Sequence, residues 1–564
     1  MKIFLAQLNS VVGDLDGNAS NILKVVSTAY KESANLVVTP ELSLWGYPPK
    51  DLLFQKDLLH KQNKILDKLS TEISENFGNL SVAIGIVEEI KDCFFPNLYN
   101  SIALIEKGKW EIIARKIILP TYEVFDEKRY FRSAKKVSIL EKNVNNRIWK
   151  IGITICEDLW VNEIIEGRGK HKKNPIFDLK GQNIDLLLNF SASPFTIEKI
   201  KNREKVSNFA VKHLKTPLIY INQIGGNDDL VFDGNSFVLG SNGDLLMELK
   251  PFEEDYGCWD IAVNSSKLKK RKNSCEMESI FDALVLGLKD YARKCRFKTA
   301  LIGLSGGIDS ALVSVIATAA LGRDNIFSVS MPSKWSSEHS KVDAHELAKR
   351  LNIKIETMSI ENLFDIFEST FERNLNFKLK GITNENIQSR IRGTILMGIA
   401  NHFDHLLLST GNKSELAVGY CTLYGDMNGG LSIIGDLYKT NVFKLSKWID
   451  SDESTQARRK YNLPSMSPII GEKILNKPPS AELGPDQLDT DSLPPYSDLD
   501  LILKAIIEDR KDFFQLQKAG FKDDLIKKIL NLMKRSEFKR KQAPPIIKLS
   551  SQSLGTDWRL PIAK

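Results

Sequence analysis

A run of small and polar residues, Ser305-Gly306-Gly307-Ile308-Asp309-Ser310, separates the apolar stretch 299–304 from the alanine-rich stretch 311–321. A β-prone run that enters such a turn and leaves into a helix gathers backbone N–H groups and a positive helix end at one spot, which suits phosphate. The glycines let the backbone approach an anion closely, the serines add hydroxyl donors, and Asp309 can hold the Mg²⁺ that a polyphosphate brings. No Gly-Lys-Ser/Thr closes the turn, so it is not a Walker A loop. The plainer reading is a glycine turn capping an ordinary helix. Three further reactive residues stand where short apolar runs end: Glu41 after Leu36-Val37-Val38-Thr39-Pro40, Lys116 after Ile112-Ile113-Ala114-Arg115, and Cys156 after Ile151-Gly152-Ile153-Thr154-Ile155. Together they form an amide-cleaving set. Glu41 takes the thiol proton and passes it to departing ammonia, and Cys156 attacks the amide carbon to give a thioester. Lys116 stabilises the oxyanion and favours the Cys156 thiolate. Taken singly, the cysteine reads as a buried small hydrophobe and the lysine as a surface charge.

The elements that must position these residues follow from hydrophobic period. Residues 1–265 alternate short strands (2–8, 35–39, 81–87, 101–106, 150–155, 185–189) with amphipathic helices such as 18–32, the pattern of stacked α and β layers. Strand ends are where such layers place their chemistry. The polar, charged stretch 264–274 lacks periodicity, which puts a domain boundary there: a first domain 1–265, a linker 266–275 and a second domain 276–564. In the second domain a helix 276–294 leads into the phosphate-loop strand. Strand 325–332, helix 338–351 and strand 354–360 continue a right-handed βαβ succession with the nucleotide at the strands' carboxyl ends. Polar clusters at 385–393, 409–415, 419–426 and 435–440 follow apolar runs and form a second phosphate-rich surface. There Glu415 partners Asp309 around Mg²⁺ and Lys439 contacts phosphate. The proline-rich, acidic stretch 477–496 reads as a surface loop.

A chain of 564 residues exceeds one core, and 42% hydrophobic with 9% aromatic residues suffices for two. Mean hydropathy of −0.21, a short N-terminal apolar run and no long uncharged stretch predict a cytoplasmic protein without membrane association. The six cysteines, at 93, 156, 258, 275, 295 and 421, show no paired CxxC spacing, against both a zinc site and a disulfide framework. The formal charge of +7 is concentrated at 267–272 and 534–541, without interleaved aromatics, so nucleic acid is not the expected partner and an anionic nucleotide is.

Ser305-Gly306-Gly307-Ile308-Asp309-Ser310 resembles the pyrophosphate loop of the N-type ATP pyrophosphatases, which cleave ATP between the α- and β-phosphates to activate a carbonyl as an adenylate. The segments Pro40-Glu41-Leu42-Ser43-Leu44-Trp45-Gly46-Tyr47-Pro48, Arg115-Lys116-Ile117-Ile118-Leu119-Pro120 and Cys156-Glu157-Asp158-Leu159-Trp160, in that order, resemble the nitrilase (carbon–nitrogen hydrolase) superfamily. The resemblance implies an α/β protein: an N-terminal αββα nitrilase-like sandwich plus a C-terminal doubly wound parallel sheet of the Rossmann-like ATP pyrophosphatase kind. Similarity to glutamine amidases implies that Tyr122, Ser193 and Lys199 hold the two charged ends of glutamine, with Glu127 or Glu123 an accessory carboxylate. The later segments, including 477–496 and 537–545, are similar to the NAD synthetase family. That similarity implies ATP contacts along Gly303, Leu304, Ser305, Gly306, Gly307, Ile308, Asp309 and Ser310 and at Thr410, contacts from Asn386, Glu415 and Lys539 to deamido-NAD⁺, and Mg²⁺ at Asp309 and Glu415.

The implied activity is that of a ligase forming a C–N bond. Deamido-NAD⁺ is adenylated with release of pyrophosphate, and ammonia from glutamine displaces AMP. An enclosed ammonia passage, mutual activation of the two sites and a homo-oligomer, often an octamer, are implied as well. Two other readings remain: a glutamine-dependent amidotransferase adenylating a purine nucleotide or tRNA, and a nucleic-acid-binding protein with salt-sensitive affinity and no pyrophosphate release.

Overall fold

The computed structural model describes residues 1–90, 95–160, 173–262, 275–485 and 487–563. The chain divides into two compact units, Met1–Ser274 and Cys275–Lys564. Of the expected linker 266–275 only Cys275 lies among the described residues; the basic run 267–272, Cys93 and Asp486 fall outside them.

The first unit holds two six-stranded sheets. One takes its strands in the order Asp255–Asp260, Lys2–Gln7, Leu36–Val38, Ser81–Glu89, Leu98–Glu106, Lys109–Arg115. The other runs Leu245–Glu248, Phe237–Leu239, Leu218–Asn222, Leu186–Ser191, Arg147–Ile155, Ser138–Val144. Side chains alternate across a strand, and the two parities serve different cores. Ile3 and Leu5 join Ile151, Ile153, Ile155 and Leu188 between the sheets. Phe4 and Ala6 instead pack with Ile22, Val26, Leu66 and Leu69, carried on the helices Leu15–Lys31 and Lys56–Phe77. On the far side Leu187, Leu218 and Tyr220 meet Val206 and Ala210 of the helix Lys199–Leu214. The layers are thus αββα, and burial on both faces is why runs such as Leu36–Val38 are apolar throughout rather than alternating.

Hydrophobic pattern locates most of these elements to within a few residues. The helix expected at 18–32 is Leu15–Lys31, begun by Asp14, whose carboxylate accepts the Gly17 N–H. The strand expected at 101–106 is Leu98–Glu106. Asp255–Asp260, not singled out by the pattern, returns to pair antiparallel with Lys2–Gln7.

The second unit is built on a five-stranded parallel sheet in the order Lys354–Thr357, Ile326–Ser330, Ala300–Gly303, Leu406–Ser409, Leu431–Ser432. Strand order reverses beside Ala300–Gly303, the crevice where doubly wound sheets bind nucleotides. The helix after that strand, Ile308–Leu321, is buried on almost every side, which explains why its sequence carries no amphipathic stripe. Helices Tyr496–Ile507, Asp523–Arg535 and Glu537–Arg540 complete the unit against the helix Lys413–Val418. Among the described residues no helix is long and apolar enough to cross a membrane.

Candidate functional site

In the first unit Glu41, Lys116 and Cys156 come together from three strand ends, all buried. Glu41 sits on a tight turn after Leu36–Val38 that crosses directly over Gly85; a Cβ there would lie 2.2 Å from the Leu42 nitrogen. The Lys116 ammonium lies 2.7 Å from Glu41 Oε1 and 2.7 Å from Glu127 Oε1. Asn100 Nδ2 donates to Glu41 Oε1 at 2.7 Å and the Ala192 N–H to Glu41 Oε2 at 2.9 Å, so both carboxylate oxygens are aimed. The Tyr47 hydroxyl donates to Glu127 Oε1 at 2.8 Å, leaving Glu127 Oε2 buried without a partner among the described residues. Glu127, rather than Glu123, is therefore the carboxylate that meets the lysine. Cys156 opens a 3₁₀ turn in the left-handed region, φ 47°. Asp158 holds that turn, accepting N–H groups from Ile155 at 3.1 Å, Ile117 at 3.1 Å and Ile118 at 2.7 Å.

Burial and the surrounding charges decide how Cys156 and Lys116 rest. Burial, then the Glu41 carboxylate, push the Cys156 thiol well above its ordinary range, and Lys116 offsets this only in part. The resting cysteine is a thiol, not a thiolate, so a base must take its proton in the reaction. Lys116, by contrast, is held protonated: burial opposes its charge, but Glu127 and Glu41 outweigh burial. In substrate-free protein Cys156 is expected to react with iodoacetamide at least about tenfold more slowly than exposed Cys275, with no plateau below about pH 10. Peptide mass spectrometry across pH reads both, and an early plateau would overturn the assignment.

The residues expected to hold glutamine surround this cluster. The Tyr122 hydroxyl donates to Glu157 Oε2 at 2.8 Å, next to Cys156. The Ser193 N–H donates to Asn222 Oδ1 at 2.9 Å, and Ser193 Oγ accepts from Arg203 Nε at 3.2 Å. Lys199 opens its helix with its ammonium 4.7 Å from the centre of the Trp160 ring. Behind Ser193, Arg203 is buried and doubly bonded to Asp233, at 2.7 and 2.8 Å.

In the second unit three helix starts converge. Asp309 lies in the first turn of Ile308–Leu321, Glu415 in that of Lys413–Val418, and Lys439 begins Lys439–Ile449. The Lys439 ammonium lies 2.5 Å from Asp309 Oδ2 and 3.1 Å from Glu415 Oε1. Asn412, which caps the Glu415 helix, donates to Asp309 Oδ1 at 2.9 Å. Burial, relieved in part by Lys439 but reinforced by Asp309, pushes the Glu415 carboxyl up. Within the turn Ser305 Oγ and Ser310 Oγ are 3.1 Å apart, and the Gly307 N–H donates to Ser305 Oγ at 3.2 Å. These groups open on a cavity of about 690 Å³, also lined by Gly303, Leu304, Ile308 and Thr410 at the sheet's carboxyl end.

Asn386 and Lys539 stand apart from that wall. Asn386 Oδ1 accepts from the Thr422 hydroxyl at 2.9 Å, and Lys539 donates to the Gly419 and Cys421 carbonyls at 2.8 and 2.6 Å. Neither lines the cavity; both grip the turn whose Tyr420 and Cys421 do. In the ligand-free fold Asn386 Oδ1 and the Lys539 ammonium are thus engaged with chain groups. The stretch 477–496 is a loop as expected, but residues 477–484 and 487–489 form part of the cavity wall, with Glu482 accepting the Ser337 hydroxyl at 3.0 Å. Tyr47, Asp158 and Asn412 stand inside the sequence motifs without being singled out by them. Asn100, Arg203 and Asp233 had no local signal, since only the fold brings them near.

Residues 2–271 match the family described as carbon-nitrogen hydrolase, and residues 280–543 the family described as NAD synthase. The glutamine-dependent NAD(+) synthetase of Synechocystis sp. is 43% identical over 567 residues, spanning 100% of this chain and 98% of that protein. That of Thermotoga maritima is 36% identical over 598 residues, spanning 100% and 98%. Among solved structures, glutamine-dependent NAD+ synthetase from Acinetobacter baumannii in complex with ADP matches at TM-score 0.72 and 34% identity, covering 100% of this chain and 98% of that one. A glutamine-dependent NAD(+) synthetase from Cytophaga hutchinsonii, 20% identical over 100% of this chain and 98% of that one, shares the fold at TM-score 0.79. Matched along its whole length in this way, the chain belongs to the glutamine-dependent NAD(+) synthetase family of ligases, a nitrilase-like unit joined to an NAD synthase unit.

Proposed function

We propose that the chain amidates deamido-NAD⁺ to NAD⁺ at the expense of ATP, with nitrogen taken from glutamine. The observation that carries this reading is the pairing, in one chain, of a buried Cys156–Glu41–Lys116 cluster with a phosphate-type turn facing Asp309, Glu415 and Lys439.

At the first site Tyr122, Ser193 and Lys199 hold the amino and carboxylate ends of glutamine. Glu41 takes the Cys156 proton as sulfur attacks the amide carbon, and Lys116 bonds the resulting oxyanion. The C–N bond then breaks, ammonia leaves with the proton from Glu41, and water cleaves the thioester to glutamate. The free Glu127 Oε2 supplies an acceptor beside Lys116.

At the second site the nicotinate carboxylate attacks the α-phosphorus of ATP, pyrophosphate departs against the turn 305–310, and ammonia displaces AMP from the acyl adenylate. Asp309 and Glu415 fit a hard cation, two carboxylates on one point in a cavity with room for phosphate oxygens. When bound there, Mg²⁺ would neutralise phosphate charge. Lys439 is shared between those carboxylates and turns to the pyrophosphate oxygens as they arrive. Thr410 lies on the same wall for ATP, while Asn386 and Lys539 shape the turn facing the dinucleotide. The proposal carries a cytoplasmic homo-oligomer with it. The helix Glu361–Leu375 leaves Leu363, Ile366, Phe367 and Leu375 exposed, apolar surface of the kind subunits cover.

The test is to supply deamido-NAD⁺, ATP, Mg²⁺ and glutamine together. NAD⁺, AMP, pyrophosphate and glutamate in equal amounts are expected; ADP in place of AMP would overturn the reading. The turn itself can be probed at Gly306, whose φ is +81° and where a Cβ would stand 2.2 Å from the Ser340 carbonyl oxygen. Gly306→Ala must push the turn away from the helix Glu338–Leu351 that carries Ser340, so pyrophosphate release should fall at least about tenfold and stability by about 1–3 kcal/mol. Full activity in that variant would sink the role of the turn.

A further inference from the structure

The cations lining the second-unit cavity are not alike. Lys439 is paired with Asp309 and Glu415, Lys477 with Asp343 at 2.6 Å, and Lys341 with Glu338 at 2.8 Å. Arg392 is different. It lies on the helix Ile382–Phe403, one turn before Leu396, and both side chains line the cavity. Its Nε donates to the Met331 carbonyl at 2.9 Å, at the carboxyl end of the strand Ile326–Ser330. Among the described residues its guanidinium has no other hydrogen bond and no carboxylate partner. The acid that acts on it, Glu482, is engaged with the Ser337 and Ser340 hydroxyls, at 3.0 and 2.5 Å.

A half-buried guanidinium without a counter-charge is unfavourable, and its partial burial pushes Arg392 down to about 10, with Glu482 pulling it back only in part. Such a group persists in a fold when something absent from the chain supplies the negative charge. The Met331 bond fixes the side chain at one nitrogen and leaves the terminal N–H groups free, the geometry of a fork waiting for two oxygens.

We propose that Arg392 is a nucleotide-binding residue whose forked N–H groups bond an oxyanion of the nucleotide held in this cavity. The oxyanion is a phosphate of ATP or the pyrophosphate or carboxylate of the acid dinucleotide. The inference rests on the reading of the cavity given under the proposed function. It adds a contact that the phosphate turn and Lys439 do not supply, carried on a different helix from either.

Arg392→Met and Arg392→Lys test it. Melting temperatures are read in the ligand-free full-length protein. Calorimetric affinities are read for a non-hydrolysable ATP analogue with Mg²⁺ and, separately, for deamido-NAD⁺. Removing an uncompensated charge should leave the ligand-free melting temperature of R392M at or above wild type, which an arginine serving only the fold would not do. Affinity for one of the two ligands should fall at least about tenfold, and R392K should recover only a fraction, because an ammonium cannot form the fork. The ligand that weakens identifies the source of the oxyanion. If wild type binds both ligands and both variants match it within about twofold, the proposal alone is overturned. The same holds if R392M melts lower and R392K restores stability with affinity unchanged. If wild type binds neither ligand, the nucleotide reading of the cavity falls, and this proposal with it.

Discussion

Cys156→Ala is expected to abolish glutamine-driven NAD⁺ formation, by about 10⁴-fold or more, while synthesis from added ammonium persists. The size of the effect follows from the chemistry of the site. The thioester needs sulfur, and the polar groups around it cannot replace it: Glu41, Lys116 and Glu127 are locked to one another, and Asn100 is an amide. Removing one sulfur from a buried 3₁₀ turn held by the Asp158 bonds leaves the backbone in place, so the second unit keeps its own activity. Ammonium chloride at mildly alkaline pH supplies free ammonia directly. Following NAD⁺ with each nitrogen source separates the two halves, and loss of both activities would sink the division of labour.

Asp309→Asn should give the opposite pattern: pyrophosphate release lowered by about 10²–10³-fold, with thioester chemistry at Cys156 retained. The substituted amide keeps the shape of the carboxylate and can still accept from Asn412, but it removes one of the two charges that meet at Lys439. The remaining carboxylate, Glu415, then carries both the cation and the lysine. Asp309 is one of the groups pushing Glu415 upward, so its neutralisation should let Glu415 ionise at lower pH and move the acidic limb of the residual rate to lower pH. A raised Mg²⁺ requirement would accompany the loss. Pyrophosphate release measured against Mg²⁺ and pH, beside glutamate-hydroxamate formation for the first site, reads all three; an unchanged Mg²⁺ dependence would remove Asp309 from the cation site.

The legible parts of this protein share a physical cause. A strand buried on both faces writes a short apolar run, and the residues just beyond that run lie at the sheet's edge, so strand-end chemistry can be located from the sequence. Glu41, Lys116, Cys156 and the turn 305–310 were all found this way. The ionisation state of Cys156 could not be found so, because it depends on how many carboxylates surround it and how little water does. Glu123 and Glu127 are near neighbours in the chain, yet only the folded loop sets Glu127 against Lys116. For Asn386 and Lys539, which only the family resemblance marks, the fold adds what the sequence does not show: Asn386 Oδ1 accepts from Thr422, and the Lys539 ammonium donates to Gly419 and Cys421.

By itself the sequence determined the two α/β units, the succession of strands along the chain and the strand ends at which the candidate residues stand, since hydrophobic period and local turn chemistry are read over a few neighbours. Only the tertiary structure decided which acid faces Lys116, that Lys439 stands between Asp309 and Glu415, and that among the described residues no carboxylate pairs with Arg392. Those facts are distances between residues far apart in the chain, and charge is felt through space rather than along the backbone.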